Sequence, residues 1–273
     1  MRVVAALSGG GAKAAAHVGA VRALNEFGLQ PERYAGTSMG AVIAAGFSAG
    51  LDADEVLARM VDAGSRGIAK RLLAPLGGIF VSALMRPEPL RRAIEAYLPA
   101  RTFDALTLPL TVTAVDLATG ELVLFGHGGE NVSLVDALMA SCALPVFFPP
   151  VVIGGRRLAD GGLRGVVPLE PARAGNPDLV LAVDIGPGFD ELATAGSPYP
   201  SLVRAHNDAT GILMAANSAL ELEVWRRDAT RPKLVYVRPN VQKNVTFRMD
   251  LARQYADEGY RATRAALQEA GWK

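Results

Sequence analysis

The stretch Tyr34-Ala35-Gly36-Thr37-Ser38-Met39-Gly40 sets the pattern G-x-S-x-G between a short strand-like run and a run of small helix-forming residues. Residues 34–37 read as a strand and residues 39–49, closed by Gly50, as the following helix. A serine at such a junction fits a nucleophile elbow, a sharp turn that lifts Oγ clear of the fold. Gly36 and Gly40 suit that turn because it leaves little room for Cβ atoms beside the serine. An ordinary tight turn can carry the same five letters, so the surroundings must decide.

Upstream, residues 2–8 read as a first strand and residues 12–27 as a helix, with Val18, Val21, Leu24 and Phe27 at helical spacing and Gly28 just past the end. Between them lies Gly9-Gly10-Gly11, which leaves consecutive amides unshielded at a helix N-terminus. Those amides, with the N–H of Met39, are placed to receive the oxyanion of a tetrahedral intermediate. Gly9-x-Gly11-x-x-Ala14 also imitates a dinucleotide fingerprint. That motif needs an acidic residue at the end of the second strand, and this strand ends at Thr37-Ser38.

Downstream, Asp52 and Glu55 form a capping-box pattern for a helix to about residue 63. Residues 109–125 suggest two strands joined around Ala118-Thr119-Gly120, and residues 133–143 a helix stopped before Pro145. Residues 151–159 read as a hairpin turning at Gly154-Gly155, which delivers Asp160 just before Gly161-Gly162. Residues 179–185 and 233–238 suit parallel strands, and residues 201–227 and 249–270 long helices. This alternation implies an α/β sandwich on a largely parallel sheet, and without a repeat or linker the chain reads as one domain over 1–273.

A serine hydroxyl needs a base. A Ser-His-Asp arrangement in hydrolase order would call on His206, which falls inside a long helical pattern; His17 lies in the first helix and His127 in a glycine-flanked loop. Asp160, between a strand and two glycines, has open access to an elbow, although an aspartate there also suits a plain turn.

Composition narrows the function classes. The 28 Lys and Arg balance 27 Asp and Glu, which offers no electrostatic footprint for nucleic acid. One cysteine, Cys142, excludes an internal disulfide, fits a reducing compartment and reads as a small buried residue. No Cys/His set has zinc-ligand spacing, so neither a metal nor another cofactor is expected. The N-terminal apolar run is too short for a signal peptide, giving an expectation of cytoplasmic location. Residues 72–85 are uncharged and bracketed by Arg66, Lys70, Arg71, Arg86, Arg91 and Arg92; against Glu88 these six leave a local excess of five positive charges. Residues 66–92 are therefore expected to make peripheral contact with anionic lipid and to open as a lid, the alternative being internal helices whose basic residues face solvent.

Four motifs in order, Ser8-Gly9-Gly10-Gly11-Ala12-Lys13, Gly36-Thr37-Ser38-Met39-Gly40, the run from Ser141 to Pro150, and Asp160-Gly161-Gly162, resemble the bacterial patatin-like phospholipases. The resemblance runs from Val3 to about Ile185. It implies a three-layer α/β/α fold and hydrolysis of lipid acyl esters by a Ser-Asp dyad with no catalytic histidine. On this resemblance Ser38 is the nucleophile, Asp160 the base, Gly9, Gly10 and Gly11 the oxyanion loop, and Lys13 the basic position after it. Ala14 stands where the family usually has another glycine and Gly165 where an asparagine often follows. Those departures motivate the alternative of a catalytically weak lipid-binding or regulatory protein.

Overall fold

In the computed structural model, which describes residues 1–65, 83–188, 201–241 and 249–273, the first strand β1 (Val3–Leu7) is buried on both faces. A strand read as Val-Val-Ala-Ala-Leu has no polar face to show water, which is the signature of a central strand covered by helices. Its alternate residues divide the interior. Val3, Ala5 and Leu7 join the larger core with α1 (Ala15–Glu26), α2 (Met39–Ser48) and α8 (Ala252–Glu269). Val4 and Ala6 face the other way, onto Leu169 and Ala172 of α6 (Leu169–Arg173) and Trp225 of α7 (Ser201–Arg227). The result is the expected three-layer α/β/α arrangement.

Around β1 the sheet is parallel: β2 (Arg33–Thr37) and β3 (Leu110–Asp116) follow on one side, β7 (Leu179–Val183) and β8 (Lys233–Val237) on the other. The margin beyond β3 is antiparallel, with β4 (Leu122–Gly126) and β6 (Arg156–Asp160) both paired to β3 and β5 (Val151–Ile153) paired to β6. The sheet is thus mixed and mostly parallel. β4 lies along Thr111–Val115, so β2, opposite 110–113, and β6, opposite 114–116, must share the other edge of β3. β2 ends where β6 arrives, and the two strands meet nearly end to end at Thr37 and Asp160.

Several local expectations are met in detail. The Asp52–Glu55 capping box closes in both directions, at 3.0 and 2.8 Å, ahead of α3 (Ala53–Ser65). The first helix differs: residues 11–14 form a 3-10 turn before α1, with Gly11 at φ 63°. A further helix, α4 (Pro87–Tyr97), was not anticipated, although Pro87 and Glu88 at its start are ordinary helix-opening residues. Most of the basic-rimmed uncharged stretch, including Arg66, Lys70 and Arg71, lies outside the described residues. Its end does not: the Leu84 and Met85 amides donate to Val146 and Phe147 carbonyls, each at 2.8 Å. Arg91 pairs with Asp136 at 2.7 Å.

Candidate active site

Ser38 occupies a backbone conformation, φ 53° and ψ −131°, that costs a residue with a Cβ on the order of 1–3 kcal/mol. The turn is held by close packing on both sides. A Cβ on Gly36 would come within 2.4 Å of Ala41 Cα, and one on Gly40 within 2.3 Å of the Ser8 carbonyl oxygen. The Ser38 carbonyl accepts the amides of Ala41 and Val42, which starts α2. The strand–serine–helix context expected of an elbow is present.

Asp160, at the end of β6, is 4% exposed. Its Oδ1 accepts the Gly162 amide at 2.8 Å. Burial pushes its pKa up to about 6, against the opposing pull of the Ser38 side chain and the Gly162 amide. A carboxylate poised there is charged at neutral pH yet basic enough to take a proton. The shared edge of β3 brings together Ser38 and Asp160, which lie 122 positions apart in the sequence.

The glycine loop lies against the serine: a Cβ on Gly9 would sit 3.2 Å from Ser38 Cβ and 3.9 Å from its Oγ. The three glycines are not equivalent. Gly9 N–H donates to the Val166 carbonyl at 3.2 Å, whereas the Gly10, Gly11 and Met39 amides have no acceptor among the described residues. Ser8 anchors the loop, its Oγ accepting the Ile185 amide and its carbonyl oxygen lying 2.8 Å from His17 Nε2. His17 is fully buried, and desolvation lowers its pKa to about 4, so the ring is neutral and Nε2–H donates to Ser8. Lys13 is buried within the 3-10 turn.

The other histidines have different neighbours. His127 follows β4 and lends its carbonyl to Thr111, while His206 contacts Thr210 within α7. Two residues with no assigned role stand directly beside Ser38. Ser141 Oγ accepts the Ser38 amide at 2.8 Å, and the Cys142 thiol feels the Ser38 side chain, which pulls its pKa down against burial. Cys142 is buried as expected; burial and then the Asp160 charge push its thiol pKa well up, so it is no thiolate. Sequence offered one clue to both: they open the run from Ser141 to Pro150. At Gly165 the Glu221 carboxylate of α7 lies close by, 2.9 Å from where a Cβ would stand. Among the described residues no group of acidic, histidine or cysteine side chains could hold a metal ion.

A mostly parallel sheet between helical layers, with a strained strand-to-helix serine against a buried carboxylate, defines the class of fold and site. The Patatin-like phospholipase family model matches residues 5–173, and the chain belongs to that family. It is 32% identical over 225 residues to an uncharacterized NTE family protein of Mycobacterium bovis, covering 81% of this chain and 60% of that protein. It is also 33% identical over 168 residues to the human omega-hydroxyceramide transacylase, covering 59% of this chain and 30% of that protein. The chain therefore spans only part of the length of these curated relatives. Among solved structures, VipD from Legionella pneumophila shares the fold, with TM-score 0.51 at 15% identity over 98% of this chain and 67% of that one.

Proposed function

We propose that the chain is a serine acyl-ester hydrolase acting on phospholipids or related lipid esters, in a single patatin-like domain. The observation that carries the reading is the placement of the strained Ser38, at the end of β2, beside the buried Asp160, where β6 arrives on the same edge of β3. Asp160 takes the Ser38 proton as Oγ attacks the ester carbonyl, and the negative charge on the carbonyl oxygen faces the Gly10, Gly11 and Met39 amides. Gly9 shapes the loop rather than donating, because Val166 already takes its N–H. Asp160 then returns the proton to the leaving alcohol, which departs from an acyl-Ser38 ester. In the second half it deprotonates a water that attacks the acyl carbonyl, and the proton goes back to Ser38 as the fatty acid leaves. Lys13, next to the loop, supplies positive charge that favours the anionic intermediate.

Nothing in this scheme calls for a metal or other cofactor, and no nucleic-acid partner is proposed. Peripheral contact with anionic lipid through residues 66–92 belongs to the proposal and rests on the charge pattern of that segment. A cytoplasmic location belongs to it too; no helix among the described residues is long and apolar enough to cross a membrane. A fluorophosphonate probe followed by peptide mapping tests the chemistry. The adduct is expected on Ser38, and an unlabelled protein or an adduct elsewhere would sink the assignment. The alternative of a catalytically weak lipid-binding or regulatory protein, motivated by Ala14 and Gly165, is distinguished by the same labelling experiment.

A further inference from the structure

Residues at the C-terminal end of α5 (Leu134–Ser141) and just beyond it touch both halves of the candidate dyad. Ser141 Oγ accepts the Ser38 amide at 2.8 Å, and the Ala143 carbonyl accepts the Asp160 amide at 3.1 Å. Ser38 lies beyond the end of β2, outside the strand ladder, and the Ser141 hydroxyl is the acceptor its amide finds among the described residues. The Ser38 amide is partly buried, and a backbone in a sparsely populated region relaxes unless its surroundings hold it. Ser141 is itself fully buried, so its hydroxyl has no competing water.

We infer that Ser141 is a positioning residue: its hydroxyl holds the Ser38 backbone in the attack-ready conformation, and the Ser141–Ala143 segment fixes the separation of Ser38 from Asp160. The inference rests on Ser38 acting as the nucleophile. It assigns Ser141 no proton transfer, because its Oγ meets the main chain of Ser38 and not the reacting oxygen. The consequence falls on turnover more than on substrate binding, since a small misplacement of a nucleophile costs rate while leaving the binding surface in place.

The test compares the native chain with Ser38→Ala, Ser141→Ala and Ser141→Thr on a p-nitrophenyl acyl ester, together with hydrogen exchange of the peptide carrying the Ser38 amide. Ser141→Ala is expected to lower kcat by about 10²-fold and to change KM by less than about threefold. Its Ser38 amide should exchange faster than in the native chain, and Ser141→Thr, which keeps a hydroxyl at the same branch point, should recover much of the lost kcat. A Ser141→Ala protein with near-native kcat beside an inactive Ser38→Ala overturns the inference alone. So does unchanged exchange at Ser38, or a folded Ser141→Thr as slow as Ser141→Ala. If Ser38→Ala is itself as active as the native chain, the nucleophile assignment falls and the inference with it.

Discussion

Asp160 is where stability and activity pull apart. Its folded pKa of about 6 exceeds its ordinary value of 3.8, so between those values the native chain holds a proton that the unfolded chain has released. The stabilisation tied to that proton is fully present below about pH 4 and is lost as pH rises through 6; at pH 7 the buried charge costs on the order of 3 kcal/mol. Asp160→Asn removes that charge while leaving an oxygen for the Gly162 amide. It should therefore lower kcat by about 10³-fold or more, as should Ser38→Ala. Thermal unfolding should nonetheless place its Tm above the native value at pH 7 to 8, with the difference vanishing towards pH 4. A variant that is both inactive and less stable at pH 8 would contradict the burial argument. If Asp160 is the base, kcat/KM of the native chain should rise with pH along a limb centred near 6, because the carboxylate must be ionised. Single His127→Ala and His206→Ala variants should keep turnover within about threefold in the same ester assay.

Among the described elements, α1 and α8 approach so closely that a glycine on each has no room for a side chain. A Cβ on Gly19 would lie 1.8 Å from the Ala256 carbonyl oxygen, and one on Gly259 would lie 1.9 Å from that of Ala16. The two helices cross backbone to backbone, so neither can accept a methyl without moving apart. Because α1 also carries His17, the clamp on Ser8, a displaced α1 reaches the glycine loop. Gly259→Ala should destabilise the fold by about 3 kcal/mol or more, the upper end for overpacking, seen as a lower urea midpoint. An unchanged midpoint would mean that α8 shifts freely on α1. The helical repeat of α1 is visible in its sequence, but the crossing is not: Gly19 and Gly259 are separated by nearly the whole chain and carry no side chain that could advertise a contact.

For the whole molecule, net charge is close to zero while residues 66–92 hold a local excess of five positive charges. Arg91 is engaged with Asp136, which leaves the proposed lipid contact to the other basic residues of the segment. Sedimentation with vesicles should show stronger binding to anionic than to neutral lipid, and changing Arg66, Lys70 and Arg71 to glutamine should remove the preference, each lost charge weakening binding by about 1 kcal/mol. Equal binding to both vesicle types would return the segment to ordinary surface. That test is independent of the dyad, because none of the three residues is placed in the chemistry.

The order of the strands and of the longer helices around them, the turn at Ser38, the turn at Asp160 and the glycine loop were legible in the sequence, whereas the helix at Leu169–Arg173 was not. Each legible feature depends on a few neighbouring residues: apolar period, a glycine beside a serine, an acid ahead of two glycines. The helix at Pro87–Tyr97 was equally local and was missed beside a conspicuous charge pattern. What the chain could not show along its length was which distant groups share space. The antiparallel return of β6 onto the edge vacated by β2 makes Asp160 a neighbour of Ser38. The same folding diverts the Gly9 amide to Val166, sets Glu221 against Gly165 and brings Ser141 to the Ser38 amide. Local sequence fixes torsion preference and burial pattern, whereas partners and pKa values come from packing across the sheet, which only the tertiary structure decides.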